Sequence, residues 1–206
     1  MSGLRLVVAR HGQTDANVSL VLDSRPPGPP LNELGRQQAL TLADELAVAP
    51  VVGVYASTAV RAQQTAAPVA ARHGLPVEVV EGLHEVFLGD LEGTVGQQYL
   101  ERFVVVLKAW QAGELDRPMP GGESATQAIA RFTVAIADIQ RRHAHGVIVV
   151  ITHGAIVEVA VPRLAPNLLA FATRPLMPNA GQIVLDQDDT TPTGWRCVVW
   201  PGLRLT

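Results

Sequence analysis

The chain has 206 residues, 48% hydrophobic and 17% charged, with a net charge of −3. That describes one globular domain over residues 1–206, with chain enough for a sizeable core, and no general attraction to nucleic acid or anionic lipid. Lys108 is the only lysine, which excludes a Gly-Lys-Ser/Thr phosphate loop and argues against Schiff-base chemistry, and Cys197 is the only cysteine, which excludes an intrachain disulfide.

No apolar run reaches membrane-spanning length, and the N-terminus reads directly into a strand, so a cytoplasmic protein without a membrane partner is expected. That first strand is Leu4 to Ala9, an apolar run of the kind buried on both faces. It ends abruptly in Arg10-His11-Gly12, followed by the polar Gln13, Thr14, Asp15 and Asn17. Leu20 to Pro30 holds four prolines and a glycine and reads as a loop, near enough in sequence to hang over His11. Asn32 caps a helix with Ala39, Leu42, Ala43 and Leu46 on its apolar face, and Pro50 ends it.

Val51 to Ala56 is the second strand. Ser57 or Thr58 caps a helix that buries Ala62, Thr65, Ala66 and Val69, is kinked at Pro68 and stops at Gly74. Val77 to Val80 is a short third strand, and Glu81 to Gly96 reads as loop. Tyr99, Phe103, Val106 and Trp110 mark a helix with a core-facing side. Ser124 and Gln127 form a capping box for a helix that uses Ile129, Phe132, Thr133 and Ile136. Val147 to Ile151 is the fourth strand, followed by His153-Gly154 and a short helix stopped by Pro162. Two strands, Gln182 to Leu185 and Trp195 to Val199, close the chain and supply an edge at which a homodimer could form. The alternation of strands and helices predicts an α/β fold with a mostly parallel sheet and helices on both faces.

The residues just beyond each strand carry the chemistry. Arg10 and His11 come after the first, Arg61 after the second, Glu85 after the third and His153 after the fourth. In open α/β sheets ligands bind beyond the carboxyl ends of the strands, so these groups converge there. Arginine forks match phosphate oxygens, helix N-termini add backbone donors, an imidazole can act as nucleophile, and one carboxyl group can protonate a leaving oxygen. Among Glu78, Glu81, Glu85 and Glu92, only motif spacing selects Glu85, and Asn17 reads equally as a turn or capping residue. His143-Ala-His145 sits at a helix end and is read as structural, as is His73, and His84 is expected at the surface.

Arg10-His11-Gly12-Gln13-Thr14 resembles the signature of the histidine phosphatase superfamily, in its phosphoglycerate-mutase-like branch. Ser57 to Ala66, Leu83 to Gly93, Pro120 to Ser124 and Val150 to Gly154 resemble its further motifs, in the same order. The resemblance implies a three-layer α/β/α sandwich and a phosphohistidine intermediate on His11. It implies that Arg10, Arg61 and His153 bind the phosphoryl group, that Asn17 adds a hydrogen bond, that Glu85 donates a proton, and that no metal or other cofactor is needed. His153 belongs to the catalytic set as well as to the phosphate clamp. In the family's mutases the acid is followed by Arg-His-Tyr-Gly, whereas Val86-Phe87-Leu88-Gly89 follows Glu85 here. That departure favours a phosphatase acting on a small-molecule phosphomonoester. The alternatives are a cofactor-dependent phosphoglycerate mutase and a catalytically silent phospholigand-binding protein.

Overall fold

A computed structural model describes residues 3–171 and 174–205. Its centre is one six-stranded sheet built from β1 (Leu4–Arg10), β2 (Val51–Ala56), β3 (Val77–Val79), β4 (Gly146–Thr152), β5 (Gln182–Gln187) and β6 (Trp195–Val199). The strand order is β3-β2-β4-β1-β5-β6. The first four strands in that order run parallel, β5 runs antiparallel to β1, and β6 runs antiparallel to β5 at the edge.

Period-two alternation divides the apolar side chains between two cores. Leu4, Leu6 and Val8 of β1, with Ile148 and Val150 of β4, pack on one face against helices α4 (Gln97–Gln111), α5 (Ala125–Gln140) and α6 (Gly154–Leu164). Val7, Ala9, Val147, Val149 and Ile151 face the other way, onto α2 (Glu33–Glu45) and α3 (Val60–His73). The result is an α/β/α sandwich. One short helix, α1 (Asp15–Val18), follows the end of β1 and is closed by a capping box between Thr14 and Asn17.

Register sets the site. Arg10 of β1 pairs with Thr152 of β4, and the His11 amide donates to the Thr152 carbonyl at 2.9 Å. The next residue on each strand, His11 and His153, therefore leaves the sheet beside the other.

Several local expectations are corrected. The N-cap of α3 is Ala59 rather than Ser57 or Thr58, and it makes no side-chain cap bond. Thr133 faces solvent, and Ala128, Ala135 and Ile139 complete the buried side of α5 with Phe132 and Ile136. Pro162 does not stop α6, which runs on to Leu164. A proline there removes the N–H that would bond the carbonyl four residues back; Arg174 Nη2 reaches that carbonyl, on Glu158, at 3.5 Å. Tyr99 and Phe103 are only partly buried. His84 is 9% exposed rather than at the surface.

Candidate active site

His11 lies at the centre and is 4% exposed. Its Nδ1 is 2.7 Å from the Gly12 carbonyl. A carbonyl only accepts, so Nδ1 carries the proton and Nε2 holds a lone pair. Burial, then the nearby Arg61 and Arg10 charges, hold the ring well below the usual imidazole range, so it is neutral near pH 7. Gly12 is required by close approach: a Cβ there would lie 2.5 Å from the Gly35 carbonyl oxygen of α2.

Arg61, in the first turn of α3, donates from Nε to His11 Nε2 at 3.2 Å. It is 2% exposed, and a buried guanidinium needs a partner. Asp23 supplies it, accepting from Nη1 at 3.0 Å on its carboxylate and from Nη2 at 3.2 Å on its carbonyl. The proline-rich loop thus lies over the arginine. Gly28 has φ +63°, and a Cβ there would fall 2.1 Å from Arg61 Nη1. Glu92 ties the loop down, accepting from the Ser24 and Arg25 amides at 3.0 and 3.2 Å.

The His153 ring centroid is 5.1 Å from that of His11. Its Nε2 meets Ser57 Oγ at 2.6 Å, and Ser57 Oγ accepts from the Ala59 amide at 3.3 Å. Burial, then Arg61 and other positive neighbours, keep His153 well below the usual range. A neutral ring that accepts the Ser57 hydroxyl on Nε2 carries its proton on Nδ1, and Nδ1 is buried without a protein partner. Arg10 Nε is in the same condition, while Arg10 Nη1 donates to the Met177 carbonyl at 2.8 Å. Two buried donors without acceptors suit an anion.

Glu85 is anchored on the N-terminus of α6. Its carboxylate accepts from the Ala155 and Ile156 amides at 3.0 and 2.8 Å and from its own neighbour Val86 at 2.9 Å. Of Glu78, Glu81, Glu85 and Glu92, it alone lines the cavity of about 250 Å³ that also exposes Arg10 and Asn17. Asn17 closes the α1 cap through its Oδ1 and also stands in the cavity wall. Val86 is core, 0% exposed, whereas Leu88 belongs both to the core and to the cavity wall. His143 accepts or donates at 2.7 Å to Tyr55, which fits a structural role. Among the described residues no group of three or more His, Cys, Asp or Glu side chains could hold a metal ion.

The six predicted residues thus form two adjoining sets. His11, Arg61 and His153 make a buried knot, and Arg10, Asn17 and Glu85 face the cavity. Sequence reasoning placed the loop that carries Asp23 over His11 without singling that residue out, and it missed the contacts of Ser57, Asn179 and Glu158. Ser57 had a signal, since it is the first residue beyond β2. Asn179 bonds the His11 carbonyl and Asn17 Oδ1, both at 3.1 Å, from a loop with no local mark.

The sheet, its flanking helices and the paired strand-end histidines define an α/β protein of the phosphoglycerate-mutase-like fold. The chain belongs to the histidine phosphatase superfamily, branch 1, whose model matches residues 6–201. It is 32% identical over 217 residues to a PE-PGRS family protein of Mycobacterium tuberculosis, covering 95% of this chain and 36% of that protein. It is 36% identical over 142 residues to glucosyl-3-phosphoglycerate phosphatase of the same organism, covering 68% and 61%. The chain therefore spans less than two thirds of the length of both relatives. The solved structure of a mycobacterial hydrolase superimposes with a TM-score of 0.82 at 29% identity, covering 95% of this chain and 97% of that one.

Proposed function

We propose that the chain is a phosphoric monoester hydrolase that transfers the phosphoryl group of a small-molecule substrate to His11 and then to water. The observation that carries this is the proton position on His11: Nδ1 is committed to a carbonyl, and the Nε2 lone pair faces a guanidinium. The incoming phosphoryl group takes the place that the Arg61 N–H holds against Nε2. The P–O ester bond breaks as the N–P bond forms, and the leaving oxygen takes a proton from Glu85. Arg10, Arg61, the His153 Nδ1–H and the Asn17 amide hold the phosphoryl oxygens. Water then attacks phosphorus, returns its proton to Glu85 and frees His11.

The family and the glucosyl-3-phosphoglycerate phosphatase relative support hydrolysis, as do the apolar residues that follow Glu85. The match to residues 6–201 supports one domain. No helix among the described residues is long and apolar enough to cross a membrane. Together with the lone buried Cys197, that is consistent with a cytoplasmic protein. The net charge of −3 is consistent with a small-molecule substrate rather than nucleic acid, and the β6 edge is where we place any homodimer contact.

The test is an assay of p-nitrophenyl phosphate hydrolysis beside phosphoglycerate interconversion. Hydrolysis by the wild type, lost in His11→Asn, is expected. Interconversion without hydrolysis would assign a mutase, and ligand binding without either activity would assign a silent binding protein.

A further inference from the structure

One buried carboxyl group in the cavity wall takes no part in the phosphoryl transfer. Glu158 lies four residues beyond Gly154 in α6, so it shares that helix face one turn further on, about 6 Å along the axis. It is 2% exposed and lines the same cavity as Arg10 and Glu85. Its Oε1 accepts from the Met177 amide at 3.2 Å, and its Oε2 is buried without a partner. Arg174 hydrogen-bonds the Glu158 carbonyl and not its carboxylate, which it and Arg10 reach only through space. Arg10 is turned to the Met177 carbonyl. The wall around it is apolar, with Leu88, Phe103, Val104 and Leu107. A carboxyl group in such surroundings costs free energy unless a donor meets it. Asp23, Glu85 and Glu158 also outnumber the one guanidinium of this wall, Arg10, and Asp23 is taken up by Arg61.

We propose that Glu158 selects the leaving group: the preferred substrate is the phosphomonoester of a small, otherwise apolar alcohol bearing a protonated amine about one helical turn from the ester oxygen. An ammonium there meets the free Oε2 and favours its ionised form, whereas a carboxylate would sit beside a second carboxyl group in an apolar wall and is rejected. This rests on the hydrolase reading and on the cavity as its leaving-group side.

The experiment compares aminopropyl, butyl and carboxypropyl phosphates, with p-nitrophenyl phosphate as reference. In the wild type, kcat/KM for the aminopropyl ester exceeds that for the carboxypropyl ester by at least about tenfold, with the butyl ester between them. Glu158→Gln brings the aminopropyl-to-butyl ratio close to one. If Glu158 only positions Arg10 through the Met177 peptide, the variant lowers all three esters by one common factor, and the proposal fails. It fails equally if the wild type shows no preference for the amine, a result that needs no variant to fold. A wild type that leaves every ester intact, p-nitrophenyl phosphate included, overturns the hydrolase reading itself.

Discussion

The proton on His11 Nδ1 is held by a backbone carbonyl one residue away, so the tautomer that leaves a lone pair on Nε2 is a product of local chain geometry. The rest of the residue-scale chemistry depends on contacts between distant segments. In the proposed mechanism Glu85 is the proton donor, and Glu85→Gln keeps the shape of the side chain but has no such proton to give. Hydrolysis of alkyl phosphates should fall about 10²–10⁴-fold, and that of p-nitrophenyl phosphate, whose leaving group needs little protonation, far less. Equal slowing in steady-state kinetics would remove Glu85 from the proton-transfer role. Asp23→Asn leaves Arg61 buried with a weaker partner. A loss of about tenfold in kcat/KM is expected, near 1.4 kcal/mol, with unchanged kinetics as the contrary result. Arg10, His11, Arg61 and His153 were legible because each stands within a few residues of a strand end. Asn179 and Glu158 were not, since nothing near them in sequence shows that they touch His11 or the cavity; for Asp23 only the placement of its loop over His11 was legible, not the bond to Arg61.

The strands and their caps were readable because they depend on local pattern: the apolar runs of β1 and β4, Asn32 before α2 and the Ser124–Gln127 box each specify their own element. Misreadings arose where a tertiary contact competed. Ser57 looks like a helix cap but bonds His153 instead. Pro162 looks like a stop but is tolerated in the last turn of α6. The acid loop is the clearest case of an element shaped from outside. Arg131 of α5 donates to the carbonyls of Gly82, His84 and Glu85 at 2.7, 2.8 and 3.0 Å, and pairs with Glu123 at 2.8 Å. Arg131→Gln removes that fork, so the loop should loosen. We expect about 2–3 kcal/mol lower stability by chemical denaturation and a lower kcat, because Glu85 is no longer held on α6. A variant with wild-type stability would mean that the loop holds its shape alone.

Across the whole molecule, the site places strain on stability at acid pH. Burial holds His11 and His153 well below the usual imidazole range and His84 at about 4. The unfolded chain binds these protons first, so stability is present above pH 6.5 and is lost as pH falls below it, by up to about 1.4 kcal/mol per pH unit for each group. Glu158, raised to about 7, acts in the opposite sense between its ordinary value and neutrality, as Asp23 does lower down, but the imidazoles outnumber them. Urea unfolding should therefore show lower stability at pH 5.5 than at pH 7.5, with a shallower difference in His153→Asn; a flat profile would contradict the buried neutral rings. The sandwich itself followed from alternation of strands and helices, while the antiparallel return of β5 beside β1 did not, because strand order is set by packing across the sheet. The central claim is covalent transfer to His11. Rapid quenching under alkaline conditions with a phosphate-labelled substrate should trap acid-labile label on the peptide that carries His11, decaying at the turnover rate. Turnover with no label on that peptide would contradict the account.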